Sequence, residues 1–209
     1  MKHLFMVFFL FLFSLGLKAQ QPGPVSLNLY GGYTFKDEVN FDGFYGYVEE
    51  AFQYGGGLEF FLHSTKSLEL KYLRMDTDLP LYGPLDTKLN EGAEKGSVSY
   101  LLIGGNNYFG NSTSKAIPYA GFDIGIGFVD MKDGGNGSGF AWDAKLGVQI
   151  KTPSSVSFKL QAYIQSISGA VGTDFYVYPG GAVIAVPDYA SIFQFGLGAV
   201  LCFNFKSNK

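Results

Sequence analysis

The sequence contains a single cysteine, Cys202, and only two histidines among its 209 residues. One thiol cannot build a disulfide framework within the chain. A reactive thiol needs an accessible setting that favours the thiolate, and nothing near Cys202 supplies one, so we expect Cys202 to point inward as a small apolar filler. With so few histidines and cysteines, a zinc cluster is disfavoured as well. We expect no metal and no cofactor.

A dominant charge of one sign is also missing. The chain has 15 Lys and Arg against 18 Asp and Glu, a formal net charge of −3. Without a basic surplus there is no electrostatic argument for binding nucleic acid. The composition therefore excludes the commonest signature of a nucleic-acid partner, and we expect none.

The N-terminal segment has the pattern of a secretory signal peptide. Lys2 precedes an apolar run from Leu4 to Leu17, and Ala19 offers a small residue for cleavage. The run is too short for a membrane-spanning helix, which needs about 20 apolar residues. We therefore expect residues 1–19 to be a cleaved signal and residues 20–209 to form a single domain.

The mature chain lacks any apolar run of helical membrane-spanning length, yet it is rich in glycine (29 in the whole chain), phenylalanine (21) and tyrosine (14). Its last segment, Ser191 to Phe205, alternates strictly, with apolar side chains on one face and Gln194, Gly196, Gly198 and Asn204 on the other. A strand with one apolar face can cross a membrane only in a closed barrel, where every backbone polar group is paired.

Two-residue periodicity recurs along the whole mature chain. It predicts eight strands, near residues 25–35, 52–63, 67–75, 97–109, 116–130, 139–151, 156–170 and 191–205. Short connections at 64–66, 110–115 and 152–155 alternate with longer ones at 36–51, 76–96, 131–138 and 171–190. This rhythm predicts an all-β, eight-stranded antiparallel transmembrane barrel with short periplasmic turns and longer external loops.

The apolar residues of each strand set which face meets lipid. Because a charge facing lipid near the midplane costs about 2 to 4 kcal/mol, the charged residues are expected to face the interior. The interior polar cluster is predicted to contain Glu59, Glu69, Lys71, Asp123, Asp143, Lys145, Lys159 and Gln161. These groups are candidates for catalysis, for ion selection or for structural ion pairs, and we favour structural pairs because eight strands enclose little more than side chains.

Two positions break the simple pattern. In the fourth strand Val98, Tyr100 and Leu102 have one parity while Leu101 and Ile103 have the other. The sequence leaves the phase of this strand open, and a bulge at Gly104-Gly105 is one way to switch it. In the third strand Arg74 has outward parity at the external end, where it can be solvated or can meet a lipid phosphate.

A catalytic site is hard to assemble from this sequence. Ser-His-acid chemistry needs a histidine between the nucleophile and an orienting acid, and after signal cleavage only His63, beside Ser64, is left. Both fall in a predicted periplasmic turn. The acidic loops around Asp76 to Asp86 and Asp130 to Asp133 lack the spacing of an EF-hand. We therefore expect a protein that is not an enzyme.

The connection at 171–190 contains two strand-like segments, 174–178 and 182–186, on either side of Pro179-Gly180-Gly181. This pattern indicates a hairpin tip. It leaves open a protruding ribbon or a loop packed over the barrel mouth. An exposed strand edge there could recruit a protein partner by strand addition.

The export signal, the eight alternating segments and the final apolar ladder together resemble the outer-membrane β-barrel domain family, with small barrels of the OmpA, OmpX and OmpW type. The resemblance covers the whole mature chain. It implies localisation in the bacterial outer membrane, contact with outer-membrane lipid, and assembly by the barrel-assembly machinery. The assembly signal implied by the resemblance comprises Leu197, Ala199, Leu201, Phe203 and Phe205. The tail 206–209 departs from family members that end on the aromatic residue.

Functions within that family are diverse. The resemblance implies a non-enzymatic barrel with a structural or surface-interaction role, and a porin-like narrow pore or a conduit for small or hydrophobic solutes is the main alternative. A lipid-modifying enzyme and a soluble secreted carrier are further alternatives. The sequence does not identify a solute, a partner or an oligomeric state.

Overall fold

The computed structural model describes residues 24–41, 44–110, 114–132, 136–170, 176–177, 183–184 and 189–205. The predicted signal peptide, residues 1–19, and the tail 206–209 lie outside the described residues. No helix in the described part of the chain is long and apolar enough to cross a membrane.

Eight long strands form one closed antiparallel barrel. They are β1 (Val25–Thr34), β2 (Ala51–His63), β3 (Lys66–Asp78), β4 (Lys95–Tyr108), β5 (Ala116–Met131), β6 (Asn136–Lys151), β7 (Val156–Ala170) and β8 (Tyr189–Phe205). Each pairs with the next in chain order, and β8 closes the barrel against β1, with Val25 opposite Phe205. Closure leaves no barrel edge unpaired. The predicted eight-stranded fold is confirmed.

One end of the barrel, called here the turn end, carries the short connections. β2 and β3 are joined through His63 and Lys66, which pair with each other. Between β6 and β7, the Thr152 hydroxyl lies 2.7 Å from the Ser154 hydroxyl and accepts the Ser154 backbone N–H at 3.2 Å. Such side-chain bonds to the local backbone are what make Ser and Thr good turn formers.

The opposite end, called here the loop end, is more ordered than the sequence indicates. Segments predicted as loops form a three-stranded sheet from Asp37–Phe41, Phe44–Val48 and Leu81–Tyr82, called here the loop sheet. Tyr45 and Tyr82 lie opposite each other on two of its strands, and their rings stack with the centroids 5.3 Å apart. The Asp37 carboxylate ties this sheet to β8 by accepting the Phe193 N–H at 2.7 Å.

The predicted hairpin at 171–190 is described only in part. Tyr176–Val177 pairs antiparallel with Val183–Ile184. The Pro179-Gly180-Gly181 tip lies outside the described residues.

The outer surface of the barrel is apolar, as the strand periodicity predicts. The outward side chains are Leu27, Leu29, Leu58, Phe60, Leu62, Leu68, Leu70, Tyr72, Phe122, Ile124, Ile126, Phe128, Trp142, Leu146, Val148, Ile150, Phe158, Leu160 and Ile164. All are exposed except Trp142, which is half-buried between Phe122 and Phe193. A soluble protein rarely exposes an apolar patch larger than a few hundred Å², so this continuous belt is an interaction surface.

The bulge that the sequence left open for β4 is not formed. β4 keeps one register against β3, from Lys66 opposite Asn107 to Asp78 opposite Lys95, and one register against β5. The parity conflict has another cause: Val98, Tyr100 and Leu102 face inward and are fully buried, while Leu101 and Ile103 face outward. The strand is apolar on both faces because the interior itself is apolar at that level.

Candidate functional site

The barrel interior holds a network of charged side chains, called here the charged network. The structure turns every predicted member inward, from β2, β3, β5, β6 and β7. Glu59, Glu69, Lys71, Asp123, Asp143, Lys145 and Lys159 each have at most 3% of their surface exposed. Gln161 is half-buried beside them, and its side-chain oxygen accepts the Tyr119 hydroxyl at 2.7 Å.

The larger part of the charged network joins opposite walls of the barrel. The Lys71 ammonium lies 2.9 Å from a carboxylate oxygen of Asp123 and 2.9 Å from one of Asp143. The Lys145 ammonium lies 2.6 Å from Asp123 and also pairs with Glu69. Because β3 and β6 are not neighbours in the sheet, the bridges from Lys71 to Asp143 and from Lys145 to Glu69 cross the interior.

Glu59 is the hub of the second part, nearer the turn end. Its carboxylate accepts the Lys159 ammonium at 2.6 Å, the side-chain amides of Asn28 at 3.0 Å and Asn106 at 2.8 Å, and the Tyr108 hydroxyl at 2.5 Å. A buried charge is tolerated only when it is paired and hydrogen-bonded. Three other strands, β1, β4 and β7, thus supply these four groups around one carboxylate of β2.

Each lysine of the charged network therefore has at least one carboxylate partner. Beside it, a cavity of about 10 Å³ touches Tyr30, Gln53, Asp143, Gln161 and Tyr163. That volume suits about one water molecule. At this level the interior is packed with side chains rather than open to a column of water.

An apolar cluster closes the interior above the charged network, towards the loop end. The sequence reasoning missed it, although the double-sided apolar pattern of β4 was its signal. Its fully buried members within the barrel include Leu73, Met75, Val98, Tyr100, Leu102, Ala141, Ile167 and Ile192. Val39 and Val48 of the loop sheet continue the same cluster.

Cys202 lies inside the barrel, as predicted, and is fully buried in β8. The five residues of the implied assembly signal share the opposite face of that strand. Leu197 and Phe205 are the most exposed of the large side chains among them, at 50% and 58%. The structure thus places the ladder on the outer apolar surface.

His63 and Ser64 lie at the turn end beside a cavity of about 560 Å³. The Ser64 hydroxyl is 3.3 Å from Nδ1 of His63, and the same nitrogen lies 3.3 Å from the Thr65 hydroxyl. The described lining of this cavity contains no Asp or Glu. No orienting acid therefore completes a Ser-His-acid arrangement among the described residues there.

Arg74 has the outward position expected at the loop end of β3. Its guanidinium donates two hydrogen bonds to one carboxylate oxygen of Asp76, at 3.0 and 2.8 Å, and the Tyr54 hydroxyl donates to the other oxygen at 2.8 Å. Arg74 and Asp76 also line a groove of about 610 Å³ at this rim. The contact that the structure shows for Arg74 is an exposed ion pair.

The loop sheet carries a surface cluster of three tyrosines, Tyr45, Tyr47 and Tyr82, in mutual ring contact. The Lys36 ammonium lies 3.7 Å from the centre of the Tyr47 ring, a cation–π geometry. The Tyr45 hydroxyl donates to Asp86 at 2.7 Å, and this bond raises the pKa of Tyr45 to about 12. The cluster is a preorganised aromatic surface at the loop end.

An ion pair joins two residues of the segment that connects the loop sheet to β4. The Lys88 ammonium lies 2.5 Å from the Glu94 carboxylate. Hydrogen bonding to Lys88 holds the pKa of Glu94 down, at about 2. The same bond raises the pKa of Lys88.

No group of three or more His, Cys, Asp or Glu side chains in the described ranges has a geometry that could hold a metal ion. The acids of the charged network are instead bound to lysines. The Asp76 carboxylate likewise contacts Arg74 and Tyr54.

No protein-family model matches the chain, and no curated protein matches it. Among solved structures, the outer membrane protein OprG from Pseudomonas aeruginosa is similar, with a TM-score of 0.58 and 14% identity, over 88% of this chain and 97% of that one. Neisserial surface protein A is similar with a TM-score of 0.53 and 12% identity, over 86% and 96%. At these identities the likeness concerns the fold. The chain has the closed eight-stranded fold of small outer-membrane β-barrels.

Proposed function

We propose that this protein is an integral barrel of the bacterial outer membrane with a structural or surface-interaction role. The observation that carries the proposal is the combination of an apolar exterior with a filled, paired interior. The exterior suits lipid, since apolar side chains such as Leu70, Ile124 and Leu160 are about half exposed on the outer surface of the barrel. The turn end would then face the periplasm and the loop end the outside.

Two stacked obstructions support the proposal of a non-conducting interior. The charged network blocks the middle of the barrel with cross-lumen bridges such as Lys71 to Asp143. The apolar cluster around Tyr100 and Leu102 blocks the path towards the loop end. Ions would have to displace paired charges and then pass a layer of buried, packed side chains, so the solute conduit is the weaker alternative.

The conduit alternative is tested by single-channel recording in planar bilayers. We expect the wild-type protein to give no steady conductance steps. Glu59→Ala combined with Lys159→Ala removes one whole ion pair, and Tyr100→Ala combined with Leu102→Ala opens the apolar layer. We expect measurable steps only when all four substitutions are combined. Steady ohmic steps from the wild-type barrel would favour the conduit instead.

The non-enzymatic part of the proposal is supported by the surroundings of His63. Among the described residues its ring nitrogen contacts the hydroxyls of Ser64 and Thr65, and the described lining of the adjacent cavity has no carboxylate to orient the ring. We expect lipid A from cells that make the protein to keep the mass it has in cells that do not. A mass change abolished by His63→Ala would show a lipid-modifying enzyme.

The proposed partners are outer-membrane lipid, the barrel-assembly machinery and a protein at the 171–190 hairpin. The ladder from Leu197 to Phe205 supports the assembly proposal because it presents an apolar strand face up to the last described residue. Replacing Phe205 with serine should lower the amount of folded barrel in cells, whereas Ser207→Ala should not. Replacing residues 174–186 with a Gly-Ser linker should abolish partner crosslinking and leave the barrel folded.

A further inference from the structure

The charged network lacks one positive charge. Its described ionisable members are four carboxylates and three ammonium groups. The carboxylates belong to Glu59, Glu69, Asp123 and Asp143, and the ammonium groups to Lys71, Lys145 and Lys159. If all were ionised, one negative charge would be in excess among side chains that are at most 3% exposed. An uncompensated charge so far from water is strongly unfavourable.

The excess negative charge is most unfavourable where two carboxyl groups face each other on neighbouring strands. Asp123 on β5 and Asp143 on β6 are directly opposite each other in the sheet register. Both side chains contact the same Lys71 ammonium, each at 2.9 Å. Two neighbouring carboxylates repel each other unless a proton lies between them.

One carboxylate oxygen of this pair also lacks a hydrogen-bond donor. One oxygen of Asp123, Oδ2, accepts from both Lys71 and Lys145, at 2.9 and 2.6 Å. The other, Oδ1, is buried and has no hydrogen-bond donor. It packs against Gly104, where a Cβ would come within 2.3 Å of it. A buried acceptor without a donor is costly, which adds to the cost of keeping both carboxyl groups of the pair ionised.

We propose that Asp123 and Asp143 share one proton in the folded barrel. The proton makes the charged network neutral and adds one hydrogen-bond donor to a region with two buried acceptors that lack one, Oδ1 of Asp123 and Oδ1 of Asn106. The other ionisable groups around the pair are Lys71, Lys145 and Glu69, together with the phenol of Tyr100 beside Asp143. The inference goes beyond the proposed function, because it concerns how the interior is neutralised whatever the barrel does.

Infrared spectroscopy of the folded protein in detergent at pH 7 tests the proposal, since a protonated carboxyl group has a carbonyl stretch separate from the carboxylate bands. We expect the wild-type spectrum to contain this band at an intensity of one carboxyl group per chain. Asp143→Asn and Asp123→Asn should each abolish it. Asp86→Asn, which removes an exposed carboxylate at the loop end, should leave it unchanged.

The wild-type spectrum alone can overturn the proposal, so the test does not depend on whether a variant folds. A wild-type protein without the band has no shared proton. If its unfolding temperature then depends on the identity of the monovalent cation, a bound cation rather than a proton neutralises the network. A band that persists in folded Asp143→Asn protein would also refute the assignment to this pair.

Discussion

Glu59→Gln should destabilise the barrel far more than its small change in size implies. Glu59 is fully buried, and it is the carboxylate within salt-bridge distance of Lys159. The substitution leaves Lys159 charged and buried at 2% exposure, and breaking a buried pair in this way costs about 3 to 5 kcal/mol. In the wild-type protein Asn28 and Tyr108 donate hydrogen bonds to the Glu59 carboxylate. The glutamine replaces one accepting oxygen with an NH₂ group, which is itself a donor.

The measurement is urea unfolding of the protein reconstituted in lipid vesicles, followed by the fluorescence of the single tryptophan, Trp142. With a urea dependence of about 2 kcal/mol per M, a loss of about 4 kcal/mol lowers the midpoint by about 2 M. Replacing the lysine that has lost its partner as well, in Glu59→Gln with Lys159→Met, should recover much of that loss in the free energy of unfolding.

The control is Glu49→Gln, which breaks the Lys36–Glu49 pair at the loop end. Those side chains are 42% and 31% exposed, and an exposed pair is worth about 0 to 1 kcal/mol. If Glu59→Gln shifts the midpoint no more than Glu49→Gln does, the charged network is not a buried, mutually dependent structure. The reasoning would also be refuted if Lys159→Met made Glu59→Gln worse.

Three further perturbations probe the outer surface, the interior packing and the loop end. Ile124→Lys places a charge in the apolar belt and should cost about 2 to 4 kcal/mol if the residue lies near the midplane, measured by the same unfolding assay. Gly196→Ala puts a methyl group 2.2 Å from a ring atom of Tyr163 and should cost about 1 to 3 kcal/mol through overpacking, again in unfolding. Lys88→Met should raise the pKa of Glu94 from about 2 towards an ordinary glutamate value of about 4.3, measured by NMR titration.

The substitutions at Ile124 and Gly196 each have a matched control. Leu85→Lys is the control for the lipid face, because Leu85 is 98% exposed at the loop end, and equal costs at both sites would argue against a membrane belt. Gly105→Ala, whose nearest contact would be an ordinary 3.4 Å, should be tolerated, and equal losses would argue against local overpacking.

The sign of the pH effect at Glu94 follows from its lowered pKa. The stabilisation from its pair with Lys88 is fully present above the ordinary glutamate pKa and is lost as the pH falls towards about 2. A titration midpoint for Glu94 near that of an unpaired glutamate in the wild-type protein would contradict this account.

The strand pattern could be predicted from sequence because it depends on one local rule. In β5, for example, Asp123 and Ile124 must point to opposite faces, and only one choice keeps the charge away from lipid. The same rule placed Glu59, Lys71 and Lys159 in the interior. It needs no knowledge of which strands are neighbours.

The partners inside the barrel could not be predicted in the same way. Alternation says that Lys71 and Asp143 both face inward, but their pairing depends on strand stagger and on how far each side chain reaches across the interior. The apolar cluster around Tyr100 was missed for a related reason. An apolar residue on either parity of β4 satisfies the local rule, so the sequence suggested a bulge where the structure has a continuous strand.

The central claim is a closed barrel with its apolar face in an outer membrane. Its most direct test is to separate the membranes of cells that make the protein and to run the outer-membrane fraction on a denaturing gel with and without heating. A closed barrel resists detergent until it is heated, so the account predicts an outer-membrane band whose migration shifts on boiling. A protein found in the soluble fraction, with the same migration before and after boiling, would contradict the account.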